Sequence, residues 1–196
     1  MFTVHYIYRS FISPFLNPSM SPIHPFVWIA ACCFQVINGL SIGGWLAGYG
    51  PTTENDWAGR DVWIAPGIML WAFGLLGNIW HEDELREIRR AATRTQKRRD
   101  EAQQESKGRP KRVDKVYMIP QNGLFGAILY PHYLCEFVEW GGFWMVGGLG
   151  CVPARTFLIN LLVVMTLRAL AGRRWYVARF GREKIGAKKA IFPGLL

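Results

Sequence analysis

The sequence predicts an all-α, polytopic transmembrane helix bundle, and three observations carry that expectation. Hydrophobic residues make up 51% of the chain and gather in long runs around 25–49, 62–80, 133–150 and 156–171. The chain nevertheless has a formal net charge of +9, and its charged residues lie between and after those runs. Nine tryptophans accompany this pattern, a combination unusual in a soluble domain and ordinary in a membrane protein with basic loops. A bilayer core needs about 20 mostly apolar residues per helix, so about four spans are expected, the first two being the clearest and the last the shortest. A nucleic-acid partner is excluded on the same pattern. The lysines and arginines flank apolar helices and do not interleave with exposed aromatics on a compact domain.

The start, "MFTVHYIYRSFISPF", has no basic region leading into an apolar core and a small-residue cleavage site, so it is not a signal peptide and is expected to be a partial helix. Pro14, Pro18, Pro22 and Pro25 then forbid a continuous helix and mark a bent connection. In the first span the polar Gln35 and Asn38 should face other helices, and Gly44 with Gly48 has the small-xxx-small spacing that lets backbones approach. The short connection "GPTTENDWAGRD" sets Glu54, Asp56 and Asp61 against the single Arg60. Residues 81–115 reverse that balance, and "RRWYVARFGREKIGAKKA" at 173–190 opposes its basic residues with Glu183 alone. By the positive-inside rule these two basic segments lie in the cytoplasm, as four spans require. Within the single domain 1–196, the stretch 91–115 is nearly free of apolar residues and predicts a solvated helix extension running into a flexible charged cytosolic loop. The four cysteines show no CxxC or Cys/His spacing, so buried thiols are expected and no metal ligands.

Three groups of residues could carry chemistry. In "HYLCEFVEW", residues 132–140, Glu136 and Glu139 stand at i and i+3 and share roughly one face of an otherwise apolar helix. A carboxylate at membrane depth needs a partner or a ligand to offset its burial, which makes it a candidate functional site. The alternative is a pair of buried ion pairs with Arg168 or Arg174 that only fix packing. In "GNIWHEDELREIRR", residues 77–90, Asn78, Glu82, Leu85 and Arg89 form one stripe on a helix that leaves the membrane. The stripe offers an amide, a carboxylate and a guanidinium in order toward the cytosol, and an arginine fork suits a phosphate at the wet end. A basic cluster touching lipid headgroups is the competing reading for the arginines. The third group is Arg168, Arg174, Trp175 and Tyr176, in which the aromatics could equally be interface anchors. No GxGxxG follows a predicted strand and no GxxxxGK[ST] occurs, so any nucleotide would be held by helices and their cytosolic ends.

Six separated segments, "VHYIYRSFISPFL", "NGLSIGGWL", "GNIWHEDELREIR", "YMIPQNGLF", "PHYLCEFVEWGGF" and "RRWYVARF...KKAIFPGLL", occur in the order and spacing of the steroid 5α-reductases of the endoplasmic reticulum, the 3-oxo-5α-steroid 4-dehydrogenases, which the chain resembles over nearly its whole length. The resemblance implies a multi-pass membrane enzyme of the endoplasmic reticulum that uses NADPH to reduce the double bond of a 3-oxo-4-ene steroid or related lipid enone. Position by position it implies an NADPH pocket of Asn78, Glu82, Arg89, Tyr117, His132, Glu136, Arg168, Arg174 and Tyr176. Trp140 would lie near the hydride and substrate, and Tyr6 would be the tyrosine that hydrogen-bonds the 3-oxo group. Glu139 falls to a supporting or packing role. Departures from the family pattern are His132 for asparagine, Glu82 for aspartate, Met118 for a basic residue and Gly172 for a common histidine. The charged insert at 91–115 is longer than the family's loop. Family members also carry transmembrane sequence ahead of the Tyr6 region, including a glutamate that works with that tyrosine, and the chain is expected to lack that part.

Enone reduction needs hydride at the β-carbon while the carbonyl oxygen, gaining negative charge, is held by a donor such as a tyrosine hydroxyl. The implied partners are the steroid or lipid enone and membrane lipid, with the protein a monomer. Two alternatives stand beside this reading: an enoyl-thioester or polyprenol reductase of the same superfamily, and a truncated, non-catalytic membrane protein that keeps the fold.

Overall fold

The computed structural model describes residues 1–18, 22–104 and 117–195. The chain opens with a broken helical segment made of α1 (Phe2–Ile7), a π-helical turn (Tyr8–Ile12) and α2 (Ser13–Leu16). Three long helices follow in order, α3 (Pro25–Gly48), α5 (Asp61–Gln104) and α7 (Val152–Phe180), with the short α4 (Glu54–Trp57) between the first two. The helix α6 (Pro131–Gly147) stands between α5 and α7, and α8 (Arg182–Ile185) ends the helical chain. Among the described residues no strand ladder forms, and the one bridge is the parallel pairing of Ile128 with Lys189.

Local chemistry sets these boundaries. Pro25 begins α3, where its missing N–H costs nothing, and the His24 ring accepts a hydrogen bond from the Phe26 N–H at 3.2 Å. Thr53 and Asp56 close a reciprocal capping box over α4. The backbone N–H groups of Thr52 and Thr53 hold the Asp56 carboxyl below the usual carboxylate range. Pro131 and Pro153 lie in the first turns of α6 and α7, and Gly148 and Gly181 end those helices at φ 91° and 85°.

Three helices, Pro25–Gly48, Asp61–Arg98 and Val152–Phe180, are long and apolar enough to cross a membrane. Their outward faces carry Trp28, Ile37 and Leu40 on α3, Met69 and Phe73 on α5, and Val163 and Leu167 on α7, all exposed in the isolated chain and suited to lipid. The expected span at 133–150 is α6, which has 17 residues and so a length of only about 25 Å. It is not among the three helices long and apolar enough to cross, but it runs antiparallel along α5. Asn78 of α5 meets His132 at one end of α6, Gly74 meets Cys135 and Glu139, Gly67 meets Met145 and Val146, and Arg60 reaches Gly148 at the other end. The last span, expected to be the shortest, is a 29-residue helix.

Glycines make the α5–α6 contact close. A Cβ at Gly74 would lie against the Glu139 backbone and 2.6 Å from the Cys135 carbonyl, and one at Gly142 would meet the Gly67 carbonyl. The close approach expected at Gly44 and Gly48 does not occur, because neither has any heavy atom within 4 Å of a Cβ built there. Those two glycines face outward, while Gly67, Gly74 and Gly142 sit where two backbones meet. Cys32 and Cys33 are likewise exposed on α3, and only Cys135 and Cys151 are buried as expected for all four. The extension of α5 is helical to Gln104, so residues 91–104 of the charged stretch continue the helix, and 105–115 lie outside the described residues.

The core joins α6, α7 and the C-terminal tail through Phe137, Trp140, Phe157, Leu161, Ala169, Ala190 and Ile191. The tail folds back to the entrance of α6 through main-chain bonds from Leu129 N to Lys189 O (2.9 Å) and from Tyr130 N to Ala190 O (3.0 Å). Lys188, whose ammonium donates to the Phe125 and Gly126 carbonyls, pins the same junction. Burial there pushes its pKa down.

Candidate active site

The N-terminal segment lies against α5 and α6, and that junction collects most of the polar groups. Near the middle of α6, His5 Nδ1 and Glu139 Oε1 are 2.7 Å apart, with His5 5% and Glu139 0% exposed. The other carboxylate oxygen, Glu139 Oε2, is buried without a partner among the described residues. One residue on, Tyr6 is walled by Phe2 and Trp140, with ring centroids 4.7 and 6.0 Å away, and its hydroxyl accepts a hydrogen bond from Gln35 Nε2 of α3 at 2.8 Å. Burial is the main cause raising the Tyr6 phenol to about 12, so it is protonated throughout the physiological range. Trp140, 1% exposed, packs edge-on against His5 and Phe157, and its indole N–H has no partner.

One turn nearer the charged end, Glu136 Oε2 accepts a hydrogen bond from Asn78 Nδ2 at 3.2 Å, and the same amide nitrogen donates to the His132 carbonyl at 3.0 Å. Neither Glu136 nor Glu139 pairs with Arg168 or Arg174 among the described residues. The carboxylates are met by an amide and an imidazole instead. The His132 ring is buried, with Nδ1 unpartnered.

Beyond this layer a cavity of about 400 Å³ opens between the N-terminal segment and α5. Arg9, Glu82, Leu85, Arg86, Arg89, His132 and Tyr133 line it together with Ser13, Pro14 and Asn17. Of the predicted α5 stripe, Glu82, Leu85 and Arg89 line the cavity and Asn78 lies outside its lining. Glu82 is not free, however. Arg9 binds one of its oxygens and Arg86 binds the other at 2.9 Å. Arg86, 2% exposed, also donates to the Tyr8 hydroxyl (3.0 Å), Ser13 Oγ (2.8 Å) and Asn17 Oδ1 (3.2 Å). Arg89 is exposed and carries no ion pair among the described residues, while Arg90 and Arg94 on the same helix are tied to Asp83 and Glu87.

The α7 residues lie near the start of α6. Arg168 acts electrostatically on the Tyr130 and Tyr133 phenols, and Arg89 acts on Tyr176. Tyr176 meets Tyr130 edge-on at 6.4 Å, and the Tyr130 hydroxyl fills the space a side chain at Gly172 would need. Tyr117 belongs to a neighbouring cluster, edge-on to Trp175 at 4.9 Å with the Arg179 guanidinium 5.2 Å above its ring. Arg174 is exposed and makes no hydrogen bond, ion pair or ring contact among the described residues. Of the residues predicted from sequence, Tyr6, Trp140, Glu136, Asn78, His132, Glu82 and Arg89 lie at this one junction, Tyr176 and Tyr117 share a neighbouring cluster around Trp175, Arg168 lies near Tyr130 and Tyr133, and Arg174 makes no such contact among the described residues. Sequence reasoning passed over Arg9 and Arg86, whereas Gln35 was expected only to face another helix, and its bond to Tyr6 of α1 meets that expectation. The one available signal for Arg86 was its i+4 spacing from Glu82, whereas Arg9 and Gln35 act across 73 and 29 residues of chain.

A sequence profile of the 3-oxo-5-alpha-steroid 4-dehydrogenase family matches residues 21–99 and 103–196. The whole chain is 32% identical to an uncharacterized protein of Schizosaccharomyces pombe, covering 66% of that protein. It is 28% identical over 97% of its length to the steroid 5-alpha-reductase DET2 of Solanum lycopersicum, covering 65% of it. Over its full length it is 26% identical to 3-oxo-5-alpha-steroid 4-dehydrogenase 1 of Mus musculus, covering 67%. The chain therefore spans about two thirds of the length of these relatives.

Proposed function

The chain belongs to the 3-oxo-5-alpha-steroid 4-dehydrogenase family, and from that premise we propose that it reduces the 4,5 double bond of a 3-oxo-4-ene steroid, or of a related lipid enone, with NADPH as reductant. The observation that carries this reading is the axial order of groups at the junction of the N-terminal segment with α5 and α6. A neutral phenol over a buried tryptophan comes first, a carboxylate–amide pair next, and a cavity rimmed by Arg89, without an ion pair among the described residues, last. The residues present fit the cofactor. His132 Nδ1 is a buried polar atom lacking a partner at the cavity, and Arg89 offers an uncommitted fork at its rim.

NADPH held there would supply the hydride for the β-carbon. Arg89 would take a phosphate, His132 and Tyr133 would border the adjoining sugar, and Asn78 with Glu136 would present an amide and a carboxylate to the polar edge of the nicotinamide. Glu82, occupied by two arginines, contributes by fixing Arg9 and Arg86 along the cavity wall. Tyr6 donates a hydrogen bond to the substrate carbonyl as negative charge grows on that oxygen, and the enolate left by hydride addition takes its proton at the α-carbon from water, with Tyr6 keeping its own proton. The proposed setting is the endoplasmic reticulum membrane, with the α5 extension and the C-terminal tail in the cytosol.

The test is reduction of a 3-oxo-4-ene steroid by the purified chain with NADPH, followed by loss of the enone absorbance, alongside the Tyr6→Phe variant. Turnover that falls about 100-fold in Tyr6→Phe is the expected result. Turnover of an enoyl thioester or a polyprenol with none on the steroid would move the substrate to that class. Absence of turnover on all three would overturn the reading.

A further inference from the structure

Gln35 stands within the apolar run "PFVWIAACCFQVINGLS" of α3, where a carboxamide facing lipid is costly unless something receives its hydrogens. What receives one is the Tyr6 oxygen, 2.8 Å from Gln35 Nε2, across 29 residues of chain and between two separate helical segments. The direction of that bond matters. A phenol oxygen can accept and donate at once, and a neighbour that donates occupies a lone pair while leaving the phenol's own hydrogen uncommitted. Among the described residues no acceptor takes that hydrogen. Phe2 and Trp140 flank the ring and restrict its tilt, so the remaining freedom is rotation of the hydroxyl about its C–O bond, which the Gln35 contact limits.

We infer that Gln35 is a positioning residue for the reduction: its amide donates to the Tyr6 oxygen and so aims the phenolic hydrogen at the carbonyl oxygen of a bound enone. The inference rests on the reading of Tyr6 as the hydrogen-bond donor to substrate. Gln35 touches neither substrate nor cofactor, and its effect passes wholly through Tyr6.

The experiment is a double-mutant cycle in the full chain, with Gln35→Leu, Tyr6→Phe and the pair, read both by turnover and by the absorption band of a 3-oxo-4-ene steroid bound without NADPH. A hydrogen bond donated to an enone carbonyl moves that band to longer wavelength. Gln35→Leu is expected to lower kcat roughly tenfold, to leave the NADPH dissociation constant unchanged and to reduce the band shift. In the Tyr6→Phe background the same change should do nothing further, because the group it acts through is gone. Gln35→Met, which keeps the length and flexibility of the side chain, should behave as Gln35→Leu does and guards against a folding defect. A full, multiplicative loss in the Tyr6→Phe background would overturn the inference, as would an undiminished band shift in both Gln35 variants. If Tyr6→Phe itself keeps the wild-type shift, or the unaltered chain binds no enone, the underlying reading of Tyr6 fails and the role of Gln35 fails with it.

Discussion

Glu136 and Glu139 stand three residues apart on one helix and differ in what holds them. Asn78 Nδ2 serves Glu136 but has a second acceptor in the His132 carbonyl, so removing Glu136 leaves that amide with a partner. His5 Nδ1 has only Glu139, which is completely buried. Glu139→Ala should therefore cost the larger share of stability, about 1–3 kcal/mol for an imidazole left unsatisfied. Glu136→Ala should melt nearer to wild type and lose more turnover, with Glu136→Gln milder in both. Melting curves in detergent beside steady-state rates check this, and the opposite ranking would mean that Glu139 is the group facing the chemistry. Arg89 gives a second test at this scale. It is the cavity arginine without an acidic partner, so Arg89→Ala should weaken NADPH at least tenfold in a fluorescence titration while leaving membrane insertion unaltered. Because the Tyr6 phenol titrates only at about 12, the pH–rate profile should show no alkaline limb from it below pH 10.

At the scale of elements, the α5–α6 pair is the frame on which the site is mounted. Its closeness depends on positions where a single methyl would meet backbone that has nowhere to go. Gly74→Ala would drive a Cβ into the Glu139 main chain, in the same turn of α6 that carries both carboxylates. Overpacking of that kind costs about 1–3 kcal/mol, so a lower melting temperature and lost activity are expected together. Gly43→Ala on α3, with no atom within 4 Å of its Cβ, is the control and should melt at or slightly above wild type. Equal melting of the two variants would show that the helices can separate without penalty. The N-terminal segment is fastened differently, by Arg86 through the oxygens of Tyr8, Ser13 and Asn17 along the cavity wall. Those bonds bring the proposed cofactor cavity and the Tyr6 contact under the same short piece of chain.

For the whole molecule, α5 is the axis. Its 44 residues span about 66 Å, roughly twice the hydrocarbon thickness, so its charged end must stand clear of the bilayer. The antiparallel run of α6 along it brings the start of α7 back to the Arg60 end, and the C-terminal tail returns to the charged end. Single cysteines placed at Lys97 and at Lys184 should thus be labelled by an impermeant maleimide from the cytosolic side of sealed microsomes. One at Asn55 should be labelled only after permeabilisation. Three helices are long and apolar enough to cross a membrane, so the expected fourth crossing rests on α6, and labelling of Lys97 and Lys184 from opposite sides would overturn it.

The sequence by itself determined the helical class, the long apolar runs, the basic ends and the α5 stripe, because hydropathy, charge and i, i+4 spacing are properties of neighbouring residues. It also marked Glu136 as a group in need of a partner, since a carboxylate in an apolar run is legible without knowing the fold. Only the tertiary structure decided which partner each polar group received. Asn78 for Glu136, His5 for Glu139, Arg9 and Arg86 for Glu82, and Gln35 for Tyr6 are mostly choices between segments far apart in the chain, for which local pattern holds no record. The same holds for the glycines. Gly44 and Gly48 have the spacing of a helix contact and face outward, whereas Gly67, Gly74 and Gly142 make the contact, because close approach depends on which faces two helices turn toward each other and spacing within one helix cannot specify that.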